Sequence, residues 1–229
     1  MKLVLFDIDG TLLWTDGAGR RSMEGALQEV FGTPGDSTYR YDGKTDRQIA
    51  REQMRGAGFE DAHIDPRMTD VLNAYLARLT AELERDARAA TMCTGVAPLL
   101  DALESHERAT LGLLTGNIAD GARRKLAAVG IDSNRFHVNA FGSDHEHRPE
   151  LPGIARQRAM EILGLDLTGD GIVIIGDTPA DIHCGRALGV RAIGVATGRY
   201  SVEELMTHNP AAAFADFSDT DAVVHAILN

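Results

Sequence analysis

A chain of 229 residues with 44% hydrophobic and 25% charged side chains can bury a proper core and lies far from disordered compositions. Its 34 acidic against 23 basic residues give a formal net charge of -11, and no lysine or arginine block tracks a phosphate backbone, so nucleic acid and anionic membrane are excluded as partners. An anionic ligand therefore needs a local cation and a few placed donors to override the global field.

The first element is the apolar run Leu3 to Phe6, which reads as a strand buried on both faces and ends in Asp7-Ile8-Asp9-Gly10-Thr11. From Leu13 to about Ala90 no strand-like run follows. Helical patterns appear instead at Ser22 to Phe31, at Asp46 to Arg55 and at Pro66 to Arg85. In the last of these, Met68, Val71, Leu72, Tyr75, Leu76, Leu79 and Leu83 share one stripe. Helix Val96 to His106, strand Thr110 to Leu114, helix Ile118 to Val129 and helix Ile154 to Leu163 come next. Strand Ile172 to Ile175, helix Ala180 to Leu188 and strand Ala192 to Val195 follow. The tail from Ser201 reads as a short helix, an edge strand near Ala213 to Phe217 and a closing helix.

Strand and helix alternate, which calls for an α/β, Rossmann-like, three-layer core with a parallel sheet. The one break in the alternation is an inserted α-helical cap. The boundaries fall in polar, glycine-rich junctions at Thr15 to Gly19 and Thr91 to Gly95, giving a core of residues 1–14 and 92–229 and a cap of residues 15–91. Cys93 and Cys184 show no metal spacing, and the opening apolar run is too short for an export signal or a spanning helix. A cytoplasmic location is expected.

Ligands of open parallel sheets bind beyond the carboxyl ends of the strands, so polar residues just after apolar runs are the candidates. Asp7 and Asp9, two apart on extended backbone, send both carboxylates to one side, and Gly10 permits a sharp turn. Such a pair repels unless a cation separates it, and Mg²⁺, which favours oxygen ligands and substrate phosphate, is the natural mediator. Asp177 in Gly176-Asp177-Thr178-Pro179-Ala180-Asp181 can supply the next ligand.

DIDGTL at 7–12, LLTGN at 113–117 and IIGDTPADI at 174–182, in this order, resemble the haloacid dehalogenase superfamily of phosphatases. The branch they resemble most is that of phosphoglycolate phosphatase and β-phosphoglucomutase. The resemblance implies Mg²⁺-dependent hydrolysis of a small phosphorylated metabolite by a monomer or homodimer. Asp7 is then the nucleophile and Asp9 the acid and base. Asp7, Asp9 through its main-chain carbonyl, Asp177 and Asp181 hold or orient the metal. Thr115, Gly116 and Asn117 bind phosphate, together with Gly10 and Thr11 of the first motif. Asn117 also reads as a plain helix cap.

The family's motif lysine is missing after Lys125, and Arg148-Pro149 is the closest fit, with Arg156 or Arg158 as alternatives. Arginine grips phosphate in a different geometry from lysine. In the cap, Lys44 and Thr45 are candidates for substrate contact, with a turn that uses Thr45 or Asp46 as a helix N-cap as the alternative. His137, His145 and His147 lack a metal spacing, and Trp14 sits near the cap hinge, where it either wedges or stacks on substrate. A phosphosugar mutase using the same aspartates, and a receiver-like module that keeps its phospho-aspartate, are the competing functions.

Overall fold

The structure, a computed structural model, describes residues 1–85 and 90–229. Positions 86–89 of the expected cap lie outside the described residues. The elements run β1 (Lys2–Phe6), β2 (Leu13–Trp14), α1 (Ala18–Phe31), α2 (Asp46–Gly56), α3 (Asp61–Ile64), α4 (Met68–Arg85), β3 (Thr91–Met92), α5 (Val96–Glu104) and β4 (Ala109–Thr115). They continue with α6 (Ala119–Ala128), β5 (Val138–Phe141), α7 (Leu151–Leu163), β6 (Ile172–Gly176), α8 (Pro179–Cys184), β7 (Arg191–Val195), α9 (Val202–Met206), β8 (Ala212–Phe214) and α10 (Thr220–Leu228).

Six strands form one sheet in the order β5-β4-β1-β6-β7-β8, and each pairing is parallel. Alternate residues of β1 divide between two cores, as the pleat requires. Val4 and Phe6 join Leu111, Leu113, Val173 and Ile175 under α5 and α10. Leu3 and Leu5 join Leu114, Val138, Ile172 and Ile174 under α7. This is the expected Rossmann-like arrangement, with both faces of the sheet covered. Chain order reverses on either side of β1, which places the switch point, and with it the expected ligand crevice, at the carboxyl end of this strand.

Helices α1, α2 and α4 enclose a separate core. Ala18, Met23, Ala26 and Leu27 face Ile49, Ala50 and Met54, and all of these face Val71, Tyr75, Leu79 and Leu83 of α4. The stripe at Val71, Tyr75, Leu79 and Leu83 repeats every four residues and is wholly buried, which is why this helix could be read from its periodicity. A two-stranded antiparallel ribbon, Leu13–Trp14 against Thr91–Met92, joins the two ends of the helical segment. Neither this ribbon nor β5 was among the expected elements. Among the described residues no helix is long and apolar enough to cross a membrane.

Candidate active site

A cavity of about 320 Å³ opens at the carboxyl end of β1, between the sheet and the helical segment, with Asp7, Asp9, Lys125, Arg148 and Asp177 in its walls. Asp7 is the residue after β1, and its amide still donates to Ile175 O at 2.9 Å, so the strand ladder itself fixes the carboxylate. Gly10 turns the chain with φ +80, where an added Cβ would lie 2.4 Å from Asp177 Oδ2. Thr11 is fully buried and donates its hydroxyl to Asp177 Oδ1 at 3.3 Å, so it supports an acidic side chain instead of reaching the cavity.

Asp7, Asp177 and Asp181 each offer a carboxylate oxygen, and these atoms lie within 4.8 Å of one another. Burial, reinforced by Asp181 and Asp9 and opposed by Arg148, raises the Asp7 carboxyl to about 6. Burial likewise pushes Asp177 well above the usual range, with Asp181 and Asp7 adding to it. Asp181 divides its oxygens. Oδ2 accepts from the amide and hydroxyl of Thr178 in the capping box that opens α8, which leaves Oδ1 for the cluster.

Arg148 is the counter-charge. It follows the loop after β5, is 4% exposed, and turns one nitrogen, Nη2, toward three acceptors. Asp7 Oδ1 lies at 3.0 Å, Leu114 O at 3.3 Å, and Asp181 Oδ1 is also bonded. Its Nε is buried with no partner among the described residues. An orphaned donor and three crowded hard oxygens are two halves of one requirement, for an anion and for an oxygen-preferring cation. Mg²⁺ fits this donor set.

Asp9 faces the other wall. Lys125 Nζ donates to both of its oxygens, at 2.8 and 2.7 Å, and Asn117 Nδ2 donates to Oδ2 at 2.7 Å. Asn117 Nδ2 also reaches Thr115 Oγ1 at 2.8 Å. Reading the sequence missed Lys125, although a signal was present. On α6 it shares the inward stripe with Gly121, Ala122 and Leu126, where a lysine has no reason to be unless it is paired.

The helical segment closes directly on the phosphate-loop candidates. Asp46 N donates to Gly116 O at 2.8 Å, and the Asp46 carboxylate accepts from Ile118 N at 2.8 Å. Burial lifts the Asp46 carboxyl to about 6, against the opposing charge of Lys125 and the Ile118 hydrogen bond. Thr45 caps α2 through Gln48 N and donates to Glu146 O at 2.6 Å, the N-cap alternative, and it does not touch the cavity. Lys44 lines the cavity, but its ammonium is held by Glu52 at 2.7 Å and by the Tyr39 hydroxyl. Trp14 also lines it, anchored by its indole N–H to Thr197 O at 2.9 Å.

Arg158 pairs with Asp144, and Arg156 lies nearest Asp166, so neither alternative to Arg148 enters the cluster. The His145 and His147 rings lie 5.6 Å apart, tilted against each other, outside it.

A model describing haloacid dehalogenase-like hydrolases matches residues 4–195. A phosphoglycolate phosphatase from Rhodospirillum rubrum is 27% identical over 95% of this chain and 88% of its own length. The pyrophosphatase PpaX from Bacillus pumilus is also 27% identical, over 99% of this chain and 97% of its own. A hydrolase structure from Pseudomonas syringae superposes with a TM-score of 0.75 at 20% identity, covering all of both chains. Two relatives at equal identity bear different substrates in their names, so sequence similarity alone does not choose between them.

Proposed function

The chain belongs to the haloacid dehalogenase-like hydrolase family, and from that premise we propose that it hydrolyses a small phosphomonoester with Mg²⁺, through a phosphoryl group carried on Asp7. The observation that carries this reading is the buried Asp7 carboxylate. It is fixed at the end of the central strand, beside Asp177 and Asp181, and lies 3.0 Å from Arg148.

Asp7 Oδ attacks phosphorus in line, and the bond from phosphorus to the leaving oxygen breaks. Asp9 gives that oxygen its proton. Water then attacks the phosphoryl group on the far side from Asp7, its proton passes to Asp9, and the bond between phosphorus and Asp7 breaks to release phosphate. Arg148, through its fork, and Thr115, through its hydroxyl, hold the phosphoryl oxygens in both steps. Bound by Asp7, Asp177 and Asp181 with the Asp9 main-chain carbonyl, Mg²⁺ supplies positive charge that offsets both the clustered carboxylates and the phosphoryl oxygens.

Residues 15–91 act as a cap that shuts water out and chooses the leaving group. What supports this is the seating of Asp46 and Thr45 on Gly116 and Glu146, and the small size of the cavity between the two parts, about 320 Å³. A metabolite of a few carbons fits such a space. The test is phosphate release from a panel of small phosphomonoesters, 2-phosphoglycolate and hexose phosphates among them, with Mg²⁺ or with EDTA. Release that EDTA abolishes supports the reading. Silence across the panel would remove the hydrolase and favour transfer of the phosphoryl group to another acceptor.

A further inference from the structure

Three lysines occur in the whole chain, and one of them, Lys125, is 3% exposed at the floor of the cavity. Burying an ammonium costs free energy unless every proton is matched, and here the matching is complete. Nζ donates to Asp9 Oδ1 at 2.8 Å, Asp9 Oδ2 at 2.7 Å and Asn117 Oδ1 at 2.6 Å.

An ammonium has donors only, so whatever faces it must accept. The Asn117 side chain is thereby oriented, with its carbonyl toward Lys125 and its Nδ2 toward Asp9 Oδ2 and Thr115 Oγ1, at 2.7 and 2.8 Å. The Asn117 main-chain N–H also points at Thr115 Oγ1, at 3.4 Å. Two donors on one hydroxyl oxygen occupy both of its lone pairs. The Thr115 proton then has to be given away. Among the described residues it has no acceptor, and Thr115 borders the cavity.

The same count applies to Asp9. A carboxylate has about four lone-pair positions. Lys125 takes one on each oxygen and Asn117 takes a second on Oδ2. One position remains, on Oδ1.

We propose that Lys125 is a positioning residue that sets the direction of every hydrogen bond along Asp9, Asn117 and Thr115, leaving Asp9 Oδ1 as the oxygen that exchanges a proton with leaving group and water, and the Thr115 hydroxyl as a donor to phosphate. The inference rests on the acid and base role given to Asp9 above. It predicts that losing the ammonium damages the steps that need a proton moved far more than the step that does not.

The experiment compares Lys125→Met with the wild-type enzyme on an alkyl phosphomonoester, whose alkoxide needs a proton to leave, and on p-nitrophenyl phosphate, whose phenolate does not. On the alkyl ester, turnover falls by about 100-fold or more, the low end of what a placed proton donor contributes. On p-nitrophenyl phosphate, phosphorylation of Asp7 loses only the aimed Thr115 hydrogen bond and slows far less than water attack, which loses its base as well. A burst of p-nitrophenol equal to the enzyme concentration therefore precedes a slow steady state.

A parallel loss on both substrates without a burst, or no loss on either, would overturn the proposal, since a merely structural lysine has no preference for leaving group. Lys125→Arg keeps a donor-only cation, so it should hold the substrate ratio within about threefold of wild type, well inside the range a lost proton donor spans. It decides the matter if the methionine variant fails to fold, because a folded arginine variant with a collapsed ratio contradicts the proposal. A wild-type enzyme inert on both esters, or unaffected by Asp9→Asn, would instead sink the hydrolase reading on which this inference stands.

Discussion

Arg148 Nη2 lies 3.0 Å from Asp7 Oδ1 and bonds Asp181 as well, so a single guanidinium holds two of the three clustered carboxylates. The Asp7–Arg148 contact is what lets a chain of net charge -11 keep the Asp7 carboxylate buried without expelling it to solvent. Replacing Arg148 by Met removes the counter-charge and leaves buried acids unpaired, which costs about 3–5 kcal/mol. Thermal unfolding in EDTA should show this loss near pH 8 and a smaller one at pH 5, where the clustered carboxyls take up protons. A pH-independent loss would mean that Arg148 contributes packing alone. Arg148→Lys retains charge but not the fork, and its turnover should fall by at least about tenfold, by the difference in phosphate grip.

Between pH 5 and 7 the metal-free protein should lose stability as pH rises. The sign follows from the raised carboxyls. Asp7 and Asp46 each titrate near 6 when folded, above the ordinary carboxylate value, so the folded state retains protons that the unfolded chain has released. Carboxylates held low, such as Glu52 at about 2, where hydrogen bonds from Lys44, Tyr39 and Gln48 outweigh burial, have finished titrating below this window, and among the described residues only His183, held low by burial and by Arg186 and His208, opposes the trend within it. Asp46→Asn still accepts from Ile118 N but removes one such charge. Its unfolding midpoint at pH 7 should exceed that of wild type, by an equivalent of about 1–3 kcal/mol, and its slope against pH should be shallower. An unchanged slope would contradict the burial argument.

Mg²⁺ should raise the unfolding midpoint at pH 7 by an amount that grows with concentration, as for any ligand of the folded state. Asp177→Asn should abolish that rise. At pH 5 the rise should be smaller, because the metal then competes with protons for the same oxygens. A midpoint indifferent to Mg²⁺ at pH 7 would argue against a site at Asp7, Asp177 and Asp181.

Gly116 is the floor on which the helical segment rests. A Cβ there would lie 2.0 Å from Lys44 O and 2.9 Å from Thr45 Cα, so Gly116→Ala should unseat residues 43–46 and lower kcat/KM by about 100-fold, the scale of an ångström-sized misplacement. Gly153→Ala is the control. Nothing lies within 4 Å of its Cβ on helix α7, and stability should hold or rise by up to about 1 kcal/mol. Equal kinetics for the two variants would show that closure of this segment does not matter to turnover.

What was legible in the sequence was local. Leu3 to Phe6 reads as a strand because all its residues are apolar, and they are, since both faces of β1 are covered. Helix α4 announces itself by its four-residue stripe. Strand β5 was not visible because Asn139 interrupts four residues that would otherwise read as apolar. Its side-chain amide is satisfied in the fold, accepting from Leu113 N of the neighbouring strand β4 and donating to Phe136 O three residues back. The ribbon of β2 and β3 is too short for any periodicity. Lys44 illustrates the limit in the site: a basic residue beside a turn suggests a ligand contact, yet Glu52, two helical turns on, holds its ammonium. Lys125 is the opposite case, since its partner Asp9 lies 116 positions away and only the folded chain brings them together.

Asp7 as the carrier of the phosphoryl group is the central claim, and rapid acid quenching tests it most directly. Wild type and Asp9→Asn are mixed with Mg²⁺ and p-nitrophenyl phosphate, whose phenolate leaves without a proton from Asp9, then quenched, reduced with borohydride and mapped by peptide mass. The account predicts a phosphorylated Asp7 that is transient in wild type and accumulates in Asp9→Asn, where the second step lacks its base. A phosphoryl group on any other residue, or undiminished turnover by Asp7→Asn, would contradict it.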